Sequence, residues 1–104
     1  MYSLFYNKKT DGRNKKMKKM LFIYNPNAGT GLLKPKLSDV LDIFVKGGYE
    51  VTVYPTQRYH DALAKMESYE EEYDLVACSG GDGTLDEIVT GMAFREKKVP
   101  IGYI

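Results

Sequence analysis

The chain has 104 residues, which allows one domain with a modest core. A formal net charge of +1 excludes a general nucleic-acid binder, and a single cysteine excludes a disulfide framework. No apolar run approaches the length of a membrane span, and Met20-Leu21-Phe22-Ile23-Tyr24 behind a basic start is too short for a signal-peptide core, so a cytoplasmic protein is expected.

In residues 7–19, Lys8, Lys9, Arg13, Lys15, Lys16, Lys18 and Lys19 stand against Asp11 alone. Residues 1–18 are therefore expected to form a basic, disordered leader outside the fold, with the domain proper over 19–104. A second reading attaches this segment to anionic lipid at the inner membrane face, worth about 1 kcal/mol per basic residue close to the surface. No aromatic residue alternates with the lysines of 15–19, which speaks against a nucleic-acid partner.

Residues 19–25 read as the first strand, because an unbroken apolar run suits a central parallel strand. Asn25-Pro26-Asn27-Ala28-Gly29-Thr30-Gly31 ends it with turn residues. A helix follows, with Leu33, Leu37, Val40, Leu41, Phe44 and Val45 on one face, Pro35 in its first turn and Gly47-Gly48 as its stop. Gly29-Thr30-Gly31 does not open a dinucleotide fingerprint. Lys34 stands where the third glycine belongs, and no acidic residue ends the next strand. No Gly-Lys-Ser/Thr follows to make a Walker loop.

Residues 50–55 form the second predicted strand, in which Val51, Val53 and Pro55 alternate with Thr52 and Tyr54. Thr56 suits the cap of the next helix, expected over 59–73 with Ala62, Leu63, Met66 and Tyr69 inward. Glu67, Glu70, Glu71 and Glu72 read as a solvated face, and His60 as a surface helix start. No metal-ligand cluster is predicted. Asp74 and the run Leu75-Val76-Ala77-Cys78-Ser79 then lead into a short buried strand, and Cys78 within it points to a reducing compartment.

The most informative stretch follows directly: Gly80-Gly81-Asp82-Gly83-Thr84-Leu85-Asp86-Glu87. Three glycines in four positions are costly in conformational entropy, and they let backbone N–H groups approach a ligand with no Cβ in the way. Leu85, Ile88, Val89 and Met92 recur at helical spacing, so a helix N-terminus faces the same spot and makes the turn an anion cradle, with phosphate the obvious anion. A carboxylate at Asp82 would be repelled by bare phosphate, so its expected role is to hold magnesium or to take a proton from an attacking hydroxyl. Thr84 and Glu87 also stand in the S/T-x-x-E relation of a capping box, so Thr84 is expected to cap the helix. Arg95, Lys97 and Lys98 suit that helix's C-terminus, and residues 99–104 begin a fourth strand with an open edge through which copies can associate.

Alternating strands and helices predict an α/β fold: a three-layer, Rossmann-like parallel sheet with helices on both faces. Residues 25–29, Thr56 and residues 80–84 all follow strand C-terminal ends, where ligands gather in such sheets.

Gly80-Gly81-Asp82-Gly83-Thr84 after a buried strand resembles the signature of the superfamily of diacylglycerol kinases and NAD kinases. Asn25-Pro26-Asn27-Ala28-Gly29 resembles a second motif of the diacylglycerol and sphingosine kinases, which favours the lipid-kinase branch. The resemblance covers residues 19–104 and implies the N-terminal half of that fold, truncated before a second domain that supplies the acceptor pocket. It implies ATP and Mg2+ as cofactors and a lipid acceptor at the membrane surface. ATP would lie between Asn25, Pro26, Asn27, Ala28, Gly29 and Thr56 on one side and Gly80, Gly81, Asp82, Gly83 and Thr84 on the other. Asp82 would be the catalytic residue, and Glu87 would support the nucleotide site. The chain departs from diacylglycerol kinases at Asp86, where they usually carry asparagine. Two alternatives stay open: a small-molecule kinase of the NAD kinase kind, and a non-catalytic nucleotide-binding module or truncated reading frame.

Overall fold

The computed structural model describes residues 2–4, 17–28 and 33–104. The chain order is β1 (Tyr2–Leu4), β2 (Lys18–Tyr24), α1 (Leu33–Lys46), β3 (Tyr49–Pro55), α2 (Asp61–Ser68), β4 (Leu75–Ser79), α3 (Asp82–Ala93) and β5 (Ile101–Tyr103). One sheet holds the strands in the order β1-β3-β2-β4-β5; β2 to β5 are parallel and β1 runs antiparallel against β3.

Both faces of the sheet are covered, so β2 is apolar at every core position although its side chains alternate in direction. Met20, Phe22 and Tyr24 join Val51, Val53 and Ala77 under the apolar stripe of α1, where the rings of Phe22 and Phe44 meet edge-on at 5.4 Å. Leu21 and Ile23 join Val76 and Cys78 on the opposite face, beneath Ala62 and Met66 of α2 and Ile88 and Met92 of α3. The expected three layers are present. Gly48, at φ 95, ends α1 in the left-handed conformation that glycine adopts without strain.

Two elements depart from the sequence expectations. The backbone of Tyr2–Leu4 pairs with Val53, Thr52 and Val51 rather than lying outside the fold. The edge of β3 offers N–H and C=O groups that any tethered extended segment can satisfy, whatever its charge pattern. Residues 5–16 of the predicted leader lie outside the described residues. The second helix is shorter than its apolar spacing suggests: Tyr69 is already extended, at φ −70 and ψ 139, and Tyr69 and Tyr73 bury their rings from non-helical chain. Arg95 satisfies the stop. Its guanidinium donates to Met66 O at 2.7 Å and Tyr69 O at 3.0 Å, and lies 3.4 Å over the Tyr69 ring. The positive charge expected to serve the C-terminus of α3 thus serves the last carbonyls of α2.

Candidate functional site

From β2 the chain steps outward to β3, then returns past β2 to β4, so the strand order reverses between β2 and β4. Loops leaving the C-terminal ends of two such strands diverge and open a crevice. Asn25 N–H donates to Ser79 O at 3.1 Å, which joins the Asn-Pro loop to the end of β4. Thr56 N–H donates to Tyr24 O at 2.9 Å and brings the loop after β3 to the same edge. Asn25, Pro26, Asn27, Ala28, Thr56, Gly80, Gly81, Asp82, Gly83 and Thr84 are therefore gathered at one end of the sheet, while Gly29 lies outside the described residues.

Within the Asn-Pro loop the Asn25 side-chain oxygen accepts from Asn27 N–H at 2.9 Å, and Asn25 O accepts from Ala28 N–H at 3.2 Å. Asparagine is selected here because its short amide mimics a turn of backbone. The Nδ2 protons are not used by this turn.

At the glycine cluster the three residues differ. Gly80 sits at φ 157, and a Cβ there would lie 2.8 Å from Thr84 Oγ1, so sterics demand glycine. Gly81, at φ −77 and ψ 177, is the N-cap of α3, and Gly83 lies in its first turn. A Cβ at either would meet nothing within 4 Å. Thr84 N–H and Leu85 N–H donate to Gly81 O at 3.0 and 3.3 Å. Among the described residues no acceptor takes up the N–H groups of Asp82 and Gly83. They stand at the positive end of α3 with the exposed Asp82 side chain beside them, an arrangement suited to an oxyanion. Tyr103, which the sequence reading did not single out, holds the turn from β5 by donating its hydroxyl to Gly80 O at 2.9 Å.

Two capping expectations are corrected. α3 begins three residues before a Thr84 cap would allow; Thr84 is inside the helix and buried, and no capping box forms. Glu87 reaches across to α2 instead, where Oε1 accepts from Leu63 N–H at 3.0 Å and Oε2 lies 3.5 Å from His60 Nδ1. It thus supplies the cap that α2 lacks, since His60 at the N-cap is left-handed (φ 64) and bonds nothing in that role. Thr56 is not a cap either, because α2 starts only at Asp61.

Asp61 is the other residue the sequence reading passed over. It is 3% exposed, and its Oδ2 accepts from both the Tyr54 hydroxyl and Gln57 N–H at 2.7 Å. Burial pushes its carboxyl up, but the Gln57 and Tyr54 bonds and the charges of Arg58 and Lys65 outweigh it and leave the pKa below the usual carboxylate value. The Tyr54 phenol is raised, by burial first and then by its bond to Asp61. Cys78 is fully buried, and burial lifts its thiol to about 11, which removes it as a nucleophile. Among the described residues no three His, Cys, Asp or Glu side chains gather to hold a metal ion, and no helix is long and apolar enough to cross a membrane.

Residues 19–104 match the family model described as the diacylglycerol kinase catalytic domain. The chain belongs to this family. A Staphylococcus epidermidis protein named diacylglycerol kinase is 42% identical over 88 residues, which are 84% of this chain and 28% of that protein. A Staphylococcus aureus diacylglycerol kinase is 40% identical over 88 residues, again 28% of its length. A crystal structure of a diacylglycerol kinase from Bacillus anthracis str. Sterne superposes with a TM-score of 0.70 at 28% identity, covering 88% of this chain and 34% of that one. The chain thus spans 28% of the length of the curated relatives it matches. The fold is that of these kinases over the part that the chain matches, as the two sequence motifs implied.

Proposed function

We propose that this chain is the ATP-binding part of a diacylglycerol-type lipid kinase, in which the γ-phosphate of ATP passes to a lipid hydroxyl. The observation that carries the reading is the pair Gly81 and Gly83. Neither backbone angle nor packing asks for glycine at either position, yet both flank unbonded N–H groups at the helix end where the strand order reverses. A ligand that must approach the backbone closely supplies the missing reason. Family membership supports phosphate as that ligand.

In this reading the N–H groups around Gly80, Gly81 and Gly83 hold phosphate oxygens, while Thr84 supports the turn beneath Gly80. Asn25, Pro26, Asn27, Ala28, Gly29 and Thr56 line the nucleotide on the side of β3. Asp82 holds magnesium against the phosphates or takes the proton of the attacking hydroxyl, and magnesium when bound neutralises charge on the transferring group. Glu87 contributes indirectly, by tying α2 to the phosphate turn. The acceptor is placed at the inner membrane face, with its pocket in a second domain and a cytoplasmic location for this one. Association between copies would use the β5 edge.

Calorimetric titration of ATP with magnesium tests the binding step, and Asp82→Asn separates binding from chemistry. This variant should keep ATP affinity within about threefold while abolishing phosphate transfer in the full-length kinase, since the carboxylate serves charge and proton handling rather than attachment. The 104 residues alone should show little or no transfer to diacylglycerol. Robust ATP- and magnesium-dependent phosphorylation of diacylglycerol by this chain alone would refute that division of labour.

A further inference from the structure

We infer that Asp61 is a positioning residue for the nucleotide site: it holds the loop after β3 in the conformation that presents Thr56 at the crevice. This role rests on the nucleotide reading given above.

An ionised carboxylate that is 3% exposed carries a large desolvation cost and persists only where its hydrogen bonds compensate it. Among the described residues, the side-chain partners of Asp61 all lie in the segment that carries Thr56. Oδ2 takes Gln57 N–H and the Tyr54 hydroxyl, both at 2.7 Å, and Oδ1 lies 3.6 Å from an Arg58 Nη. These groups flank Thr56 on both sides, and Thr56 N–H is itself bonded to Tyr24 O. The loop is thus held at its start by the sheet and at its middle by Asp61, which the first turn of α2 carries at a fixed distance.

The second carboxylate extends the hold. Glu87 leaves the helix of the phosphate turn and bonds Leu63 N–H in the same first turn of α2. The segment carrying Thr56 and the helix carrying Gly83 are therefore linked through α2 by two carboxylates with different tasks: Asp61 shapes the loop, and Glu87 sets the distance between the helices. Thr56 follows β3 and Gly80 follows β4, with β2 between them, so about two strand spacings, roughly 10 Å, separate the points they offer. A triphosphate seated on the glycine turn does not need Thr56, whereas the rest of a nucleotide crosses toward it.

This geometry fixes the test. ATP and inorganic tripolyphosphate are titrated, both with magnesium, into the full chain and into Asp61→Asn at a temperature where each is folded. Asp61→Asn should weaken ATP about tenfold, because a misplaced positioning loop loses its contact, and leave tripolyphosphate within about twofold. Tyr54→Phe removes one bond to Asp61 without emptying the core and should weaken ATP about threefold with tripolyphosphate again unchanged. It decides the matter if Asp61→Asn does not fold. Equal weakening of both ligands, or a lower melting point with both affinities intact, would assign Asp61 a purely structural role and overturn the inference. Failure of the unaltered chain to bind ATP would overturn the nucleotide reading, and this role with it.

Discussion

A methyl group added at Gly80 meets Thr84 Oγ1 at 2.8 Å, whereas one added at Gly81 or Gly83 meets open space. Gly80→Ala should therefore lower stability by about 1–3 kcal/mol through overpacking. Gly83→Ala should raise it by up to about 1 kcal/mol, as replacing glycine in a helix does, yet weaken ATP binding. Urea midpoints measured beside ATP titrations check both, and a Gly83→Ala variant with unchanged affinity would remove the reason for glycine at that position. Asp61 gives a pH prediction with a definite sign. Its folded pKa lies below the unfolded value of about 3.9, so its stabilisation is complete above that value and is lost as pH falls through the folded pKa. Urea stability should decline as pH falls below about 4 and through the folded pKa, and Asp61→Asn should flatten that decline. The glycine cluster was legible from its spacing. Which glycine packs and which faces open space was not, because that depends on where the Thr84 side chain lies once the helix has formed.

At the scale of elements, α2 and α3 illustrate how one helix completes another. Glu87 of α3 caps the start of α2, and Arg95 beyond α3 satisfies its end. The S/T-x-x-E spacing of Thr84 and Glu87 suggested a self-contained cap, but a local pattern cannot reveal that a neighbouring helix offers an uncapped N–H within reach. The same limit applies to Gly91, where a Cβ would come within 2.4 Å of Met66 Cβ. Gly91→Ala should force the helices apart at a cost of about 1–3 kcal/mol, seen as a lower melting temperature. α2 does not run on to Tyr73, as its apolar spacing alone suggested, and Arg95 takes up the carbonyls of Met66 and Tyr69 at its end.

For the whole molecule, the crevice between β2 and β4 is a product of strand order, and ligand binding there should be linked to folding. At ATP concentrations one hundred times its Kd the chain should gain about 2.7 kcal/mol of stability, measured as a rise in urea midpoint that Asp82→Asn preserves. No rise at any ATP concentration would count against the proposed site. The sheet ends in β1 on one side and β5 on the other, and the exposed Tyr103 and Ile104 lie at the latter edge. Sedimentation across a concentration series would reveal association through it.

The amino-acid order by itself determined the helix and strand types, the two-sided burial of β2 and the loops that follow strand ends, since these depend on apolar periodicity and on glycine and proline chemistry within short windows. It also carried the two motifs on which family membership was anticipated. Tertiary structure alone decided the pairing of Tyr2–Leu4 with β3, the reassignment of Glu87 from one helix to the next, and the burial of Asp61 against the loop that holds Thr56. Those contacts join residues through backbone groups and carboxylates whose partners stand elsewhere along the chain, and hydrogen-bond satisfaction across space leaves no periodic mark in sequence.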